Sequence, residues 1–381
     1  MKLQEIHSVY CIGIGGIGMS AIARWFQQRG AVVAGYDRVA SPLTRALQDE
    51  GIAIHYEDSL ALVGEAFKQQ ASTLVMYTPA VPQAHGELRY FWENGFQVKK
   101  RSEVLGLISE GHYTVAVGGT HGKTTTSSMI AHLLHGSAEG CSAFVGGIMT
   151  NYDSNLIVGG EQAPVVAEAD EFDRSFLRLK PNYSILTSLD PDHLDIYGTE
   201  EAMRDGYLEF LSLNERKADL LLHHDTVEQL DHRLDTFRYR SFGLQHGDIV
   251  AENIRVDDGY NVFDYVGEQR LPDLKMQLPG NHNISNALAA ITVALDRGMS
   301  ADLIIHLMED YKGVKRRFEY QYRDDRVVYI DDYAHHPSEI EALISSVRSL
   351  YPDKRVTAIF QPHLFTRTRD SKLEKNRADS L

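Results

Sequence analysis

The stretch Thr114-Val-Ala-Val-Gly118-Gly119-Thr120-His121-Gly122-Lys123-Thr124-Thr125-Thr126 decides the fold class. Its opening residues are small or β-branched and suit a buried parallel strand; glycines then turn the chain, and Gly-Lys-Thr starts a helix. In such a loop successive backbone N–H groups cradle a β-phosphate, the Lys123 ammonium reaches the β- and γ-oxygens, and the Thr124 hydroxyl binds Mg2+. The spacing departs from the strict phosphate-loop pattern, because Val117 stands where the first glycine is expected. A chance Gly-Lys-Thr in a surface turn would lack the strand before it and the helix after it. The segment therefore reads as a site for a nucleoside triphosphate, with ATP the expected nucleotide.

A phosphate loop that does chemistry needs a metal-binding acid at the end of a neighbouring strand. Pro164-Val-Val-Ala167 reads as such a strand, and it runs into Glu168-Ala-Asp170-Glu171-Phe-Asp173. Carboxylates so close together repel one another unless a cation neutralises them, and Glu168 is the expected metal ligand. A third apolar run, Tyr183 to Thr187, leads into Ser-Leu-Asp190-Pro-Asp192-His193-Leu-Asp195. His193 suits a second metal or a phosphate, whereas Asp190 and Asp195 suit turn capping.

Outward from this centre, short β-branched runs alternate with amphipathic helical patterns, the mark of parallel α/β architecture. Three blocks are expected, at residues 1–105, 106–317 and 318–381. In the first, a strand at Ser8–Gly13 meets Gly13-Ile-Gly15-Gly16-Ile17-Gly18-Met19-Ser20, a helix runs from Met19 to Gln28, and strands follow at Val32–Tyr36 and Thr73–Tyr77. Asp37 ends the second strand, so the pattern matches a dinucleotide fingerprint, and an NAD-dependent oxidoreductase is the natural first reading. The physics requires only a pyrophosphate on a helix N-terminus, which a nucleoside diphosphate sugar satisfies equally; a plain structural turn is the bland alternative. In the second block Ile284, Leu288, Ile291 and Leu295 form one apolar face of a helix near 284–297, stopped by Gly298. The third block offers a strand at Val327–Ile330, a helix after Pro337 and a strand at Val356–Phe360.

Composition narrows the function classes. The 381 residues carry a formal net charge of −15, which disfavours nucleic acid and anionic membranes as partners. No apolar run reaches the roughly 20 residues of a membrane span, and the apolar stretch from Val9 to Ala23 is broken by glycines, so neither membrane insertion nor a signal peptide is expected. Cys11 and Cys141 have no metal-ligand or redox spacing, and a reduced, cytoplasmic setting follows.

Taken with Asn281-His282-Asn-Ile-Ser-Asn286 and Asp331-Asp332-Tyr333-Ala-His335-His-Pro337, these motifs resemble the Mur ligases of peptidoglycan synthesis, over residues 6 to about 370. The resemblance implies three domains: a Rossmann-like N-terminal domain for a UDP-sugar, a central phosphate-loop ATPase-like domain and a C-terminal Rossmann-like domain for an amino acid. It replaces NAD at the first loop by a UDP-sugar pyrophosphate held by Gly15, Gly16, Ile17, Gly18, Met19 and Ser20, with Asp37 nearby. It assigns ATP to Gly118 through Thr125 and to His282, Asn286, Arg317 and Asp332, and magnesium to Thr124, Glu168 and His193. Tyr333, His335 and Arg367 would seat the amino acid, and Lys123, His193 and His335 would carry the catalysis.

Within the family the motifs most resemble the branch that joins L-alanine to UDP-N-acetylmuramate, and the resemblance implies that the sugar's carboxylate attacks the γ-phosphate of ATP and that the alanine amine attacks the resulting acyl phosphate. The branch that attaches a preformed tripeptide usually has bulkier residues where Gly16-Ile17-Gly18-Met19 stands. A monomer or homodimer is expected. The third block shows one strand–helix–strand unit where a doubly wound domain has several more strands, and Ser371 to Leu381 is almost wholly polar. The sequence reading is thus an incomplete C-terminal domain with weak or no ligase activity, and a non-catalytic nucleotide-binding remnant is a further alternative.

Overall fold

The computed structural model describes residues 3–190, 197–214, 219–257, 260–335 and 337–361. The first sheet contains β1 (Ser8–Ile12), β2 (Val32–Tyr36), β3 (Ala53–His55), β4 (Thr73–Tyr77) and β5 (Gln97–Lys100), ordered β3-β2-β1-β4-β5. Every pairing is parallel. β1 is buried at each residue, which explains its nearly unbroken apolar run. The strand order reverses between β1 and β4, and the first glycine loop follows β1 into the crevice where sheets of this kind bind ligands.

The second sheet contains β6 (Thr114–Gly118), β7 (Ser142–Met149), β8 (Ser154–Ile157), β9 (Val165–Glu168), β10 (Tyr183–Leu186), β11 (Leu220–His223) and β12 (Arg240–Phe242), ordered β12-β11-β10-β6-β9-β7-β8. β6 runs parallel to both neighbours, and Val117 is in register with Ile185 on one side and Glu168 on the other. This register sets the phosphate loop, the acidic run and the loop after β10 side by side. β8 returns antiparallel from β7 as a hairpin.

The chain then makes an antiparallel meander of β13 (Val250–Asp257), β14 (Tyr260–Val266) and β15 (Arg270–Met276), which the sequence reading did not anticipate. The helix Asn281–Asp296 buries Ile284, Leu288 and Ile291 in one apolar cluster with Met129 and Leu133 of the helix Lys123–His135 and with Phe263 and Leu274 of the meander. Leu295, expected on the same face, is partly buried against it.

The first two sheets share a second apolar cluster, in which Trp25 and Phe26 of the helix Ile17–Gln28 join Phe144 of β7 and Leu156 of β8. The boundary expected at 105 falls inside the helix Arg101–Glu110, which connects the two sheets. β16 (Glu319–Arg323) and β17 (Val328–Asp331) form an antiparallel pair, followed by the helix Pro337–Leu350. The strand expected at Val356–Phe360 is not formed: the run is irregular, and Ile359 is 95% exposed. A β-branched run becomes a strand only where a neighbour accepts its backbone groups, and no such pairing exists among the described residues.

Candidate active site

The helix Lys123–His135 begins at Gly122 with no capping side chain, as an anion-binding helix start requires. Gly122 has φ +82°, and a Cβ there would lie 2.7 Å from Asn286 Oδ1, so glycine is needed both for backbone conformation and for space. Lys123 Nζ donates to the carbonyls of Gly119 (2.6 Å) and Thr120 (3.2 Å), and it pairs with Glu171 at 2.9 Å. Burial alone would depress the Lys123 ammonium, but the Glu171 and Glu168 carboxylates outweigh it and raise its pKa. Burial raises the Glu171 carboxyl, with Lys123 opposing.

The Thr124 hydroxyl donates to Glu168 at 2.9 Å and accepts from Arg317 Nη2 at 3.1 Å. Glu168 also accepts the Gly146 N–H at 2.8 Å. A hydroxyl and a carboxylate so placed are hard oxygen donors of the kind Mg2+ takes beside phosphate oxygens and water. Among the described residues no cluster of three or more His, Cys, Asp or Glu side chains is preassembled around a metal position.

Beside the loop lies a cavity of about 290 Å3 lined by His121, Gly122, Thr125, His282, Asn286, Arg317 and Asp332, all expected nucleotide contacts, together with Tyr333. Asn286 Oδ1 accepts from the Thr126 hydroxyl at 3.1 Å, which ties the helix Asn281–Asp296 to the phosphate-loop helix. Burial lowers the pKa of His282, with Glu339 opposing. Burial raises the Asp332 carboxyl although it accepts the N–H groups of Phe318 (2.7 Å) and Ala334 (2.6 Å). Glu339, which sequence reasoning missed, bridges the lobes: it meets His121 Nδ1 at 3.2 Å and accepts the His335 N–H at 3.0 Å. A carboxylate in the first turn of a helix starting at Pro337 was the available signal. The His335 ring does not line the cavity: its Nδ1 lies 2.9 Å from the Tyr333 carbonyl. His193 and Arg367, with Asp192 and Asp195, lie outside the described residues.

The first glycine loop is separately organised. The Gly15 N–H donates to Asp37 at 2.7 Å, so this acid closes on the loop itself. The Met19 side chain and the Ser20 hydroxyl are buried, so what these two residues of the expected pyrophosphate-binding stretch can present to an anion is their backbone. The Ser20 hydroxyl donates to the Ile17 carbonyl at 2.9 Å and accepts from Asn155 Nδ2 at 3.0 Å, because this helix face packs on the β7–β8 hairpin. Gly16 caps the helix, Ile17 starts it, and Gly18 leaves room for the guanidinium of Arg101, another residue the sequence reading passed over.

Three family models match in succession: a Mur ligase family catalytic domain at residues 8–113, a Mur ligase middle domain at 117–294 and a Mur ligase glutamate ligase domain at 316–375. The UDP-N-acetylmuramate--L-alanine ligase of Phocaeicola vulgatus is 48% identical over 382 aligned residues, covering 100% of this chain and 83% of that protein. The crystal structure of the UDP-N-acetylmuramate-alanine ligase of Thermotoga maritima superposes with a TM-score of 0.80 at 30% identity, covering 93% of this chain and 81% of that one. A murein peptide ligase from Psychrobacter arcticus, TM-score 0.74 and 24% identical over 94% of this chain and 79% of its own, shares the fold alone. With near-half identity along its whole length and all three domain models in order, the chain belongs to the Mur ligase family.

Proposed function

We infer that the chain is an ATP-dependent, ADP-forming ligase that joins L-alanine to the carboxylate of UDP-N-acetylmuramate in peptidoglycan synthesis. The observation that carries this reading is the convergence of Lys123, Thr124, Glu168 and Arg317 at an uncapped helix start, in a chain 48% identical to a relative of that name. A carboxylate is a poor electrophile. Its oxygen attacks the γ-phosphorus, the bond to the β-phosphate oxygen breaks, and ADP leaves an acyl phosphate behind. The alanine amine then adds to the acyl carbon, and the tetrahedral adduct collapses with loss of phosphate and a proton.

Two anions must meet in the first step, so cationic donors fixed at the γ-phosphate supply most of the help. Lys123 provides one on giving up Glu171 for phosphate oxygens, and Arg317 provides another. Thr124 and Glu168 would hold Mg2+, which when bound neutralises phosphate charge. His282, Asn286 and Asp332 line the nucleotide's cavity, and Tyr333 would approach the amino acid. A cytoplasmic setting suits an ATP-consuming chain whose two cysteines are both free.

Phosphate release by the purified chain, with UDP-N-acetylmuramate, ATP and L-alanine, tests the reading. Turnover that requires all three supports it; turnover indifferent to alanine but dependent on a preformed tripeptide would move the chain to the neighbouring branch. Quenching of NADH fluorescence on binding would instead revive the oxidoreductase reading.

A further inference from the structure

The helix Ile17–Gln28 has no capping side chain and no acidic residue in its first turn, yet a cation lies against it. A Cβ at Gly18 would fall on the Arg101 guanidinium, so the missing side chain is what admits that group to the helix start. A positive charge at the positive end of a helix dipole is unfavourable unless an anion accompanies it. The anion present is Asp170, whose carboxylate meets Arg101 Nη2 at 3.0 Å. Arg101 and Asp170 also line one small hollow together with Glu168 and Phe176. Within the loop itself the Gly15 N–H is already given to Asp37, and the Ser20 hydroxyl to the Ile17 carbonyl. An incoming pyrophosphate thus finds the loop's own donors partly committed and a guanidinium beside them.

We propose that Arg101 is a binding residue for the pyrophosphate of the UDP-sugar, with Asp170 as the counterion that holds the guanidinium over Gly18 until substrate replaces it. The assignment rests on the ligase reading above. The planar fork of Arg101 suits two phosphate oxygens at once, and the exchange of Asp170 for substrate keeps the guanidinium paired throughout. Lys100, which pairs with Asp173 at 2.8 Å, holds the same acidic run to the first domain while Arg101 changes partner.

Titration calorimetry with UDP-N-acetylmuramate, and separately with UDP, on the unmodified chain and on Arg101→Ala, Arg101→Lys and Asp170→Asn gives the test. Arg101→Ala should weaken both ligands roughly 10- to 100-fold without changing ATP affinity, and Arg101→Lys should fall between it and the parent. Asp170→Asn should tighten both, because a competing anion is gone. A purely structural ion pair predicts the opposite sign, with Asp170→Asn and Arg101→Ala weakening binding alike, and that result overturns the proposal. So does unchanged affinity in Arg101→Ala, or a loss confined to the sugar nucleotide with UDP unaffected. Failure of the unmodified chain to bind UDP-N-acetylmuramate would instead refute the ligase reading, and the assignment with it.

Discussion

Lys123→Met removes an ammonium while keeping a side chain of similar length, and its consequences separate two roles of that residue. In the protein without nucleotide, Lys123 is 13% exposed and Glu171 3%, with 2.9 Å between them. Exposed ion pairs contribute about 0 to 1 kcal/mol. A pair this buried belongs to the other class, where removing one partner costs about 3 to 5 kcal/mol because the survivor stays buried and charged. Glu171 has a partial escape, since burial already raises its pKa and loss of Lys123 raises it further. A carboxyl whose folded pKa lies above its unfolded value adds stability at low pH and loses it as pH rises through the folded value. The deficit of Lys123→Met is therefore larger at pH 8 than at pH 5. Adding Glu171→Gln removes the stranded charge, so the double variant recovers most of the urea midpoint at pH 8. ATP affinity, read by displacement of a fluorescent analogue, stays lost in both variants. A single variant that unfolds at the parental midpoint at pH 8, or a double variant that binds ATP normally, refutes the reasoning.

Two further outcomes follow from named contacts. Burial depresses the pKa of His132, whose Nδ1 meets the Tyr152 hydroxyl at 2.8 Å and whose Nε2 meets the Leu307 carbonyl at 2.9 Å. Its contribution is present above its unfolded pKa of about 6.5 and is lost as pH falls through the folded value, at most about 1.4 kcal/mol per pH unit; His132→Gln should flatten the fall in urea midpoint between pH 7 and 5, and an unchanged slope would count against it. Gly122→Ala forces a Cβ to φ +82° and to 2.7 Å from Asn286 Oδ1, so ATP affinity should drop at least about tenfold while UDP binding holds. Gly160→Ala, where a Cβ meets nothing within 4 Å, serves as the neutral control in the same titration.

The strands that carry the site were the easiest elements to read. β2 and β4 have the bounds their composition indicates, and β1, β6, β9 and β10 differ from the expected runs only at their ends. All six are short apolar runs in parallel sheets, where burial on both faces leaves a local signature. The meander from Val250 to Met276 was missed because its two outer strands are largely exposed and rich in polar residues: β13 is exposed from Glu252 to Asp257, and β15 buries only Leu271, Leu274 and Met276. Val356–Phe360 failed in the other direction, since β-branched composition without a paired neighbour is not a strand.

The candidate site divides along the same line. Gly122, Lys123, Thr124 and Glu168 were legible because a phosphate loop and its acid are local patterns, each attached to the end of a strand. Sequence by itself determined those elements and, through its motifs, the family. Which ends meet was decided by tertiary structure: the register of β6 against β9 and β10 places Glu168 beside Thr124, and Arg317 reaches Thr124 across 193 residues. The partners of Lys123, the inward turn of Ser20 and the guanidinium over Gly18 belong to the same class. Each depends on a contact between segments far apart in the chain, and such contacts arise from packing and strand register, which no local spacing encodes.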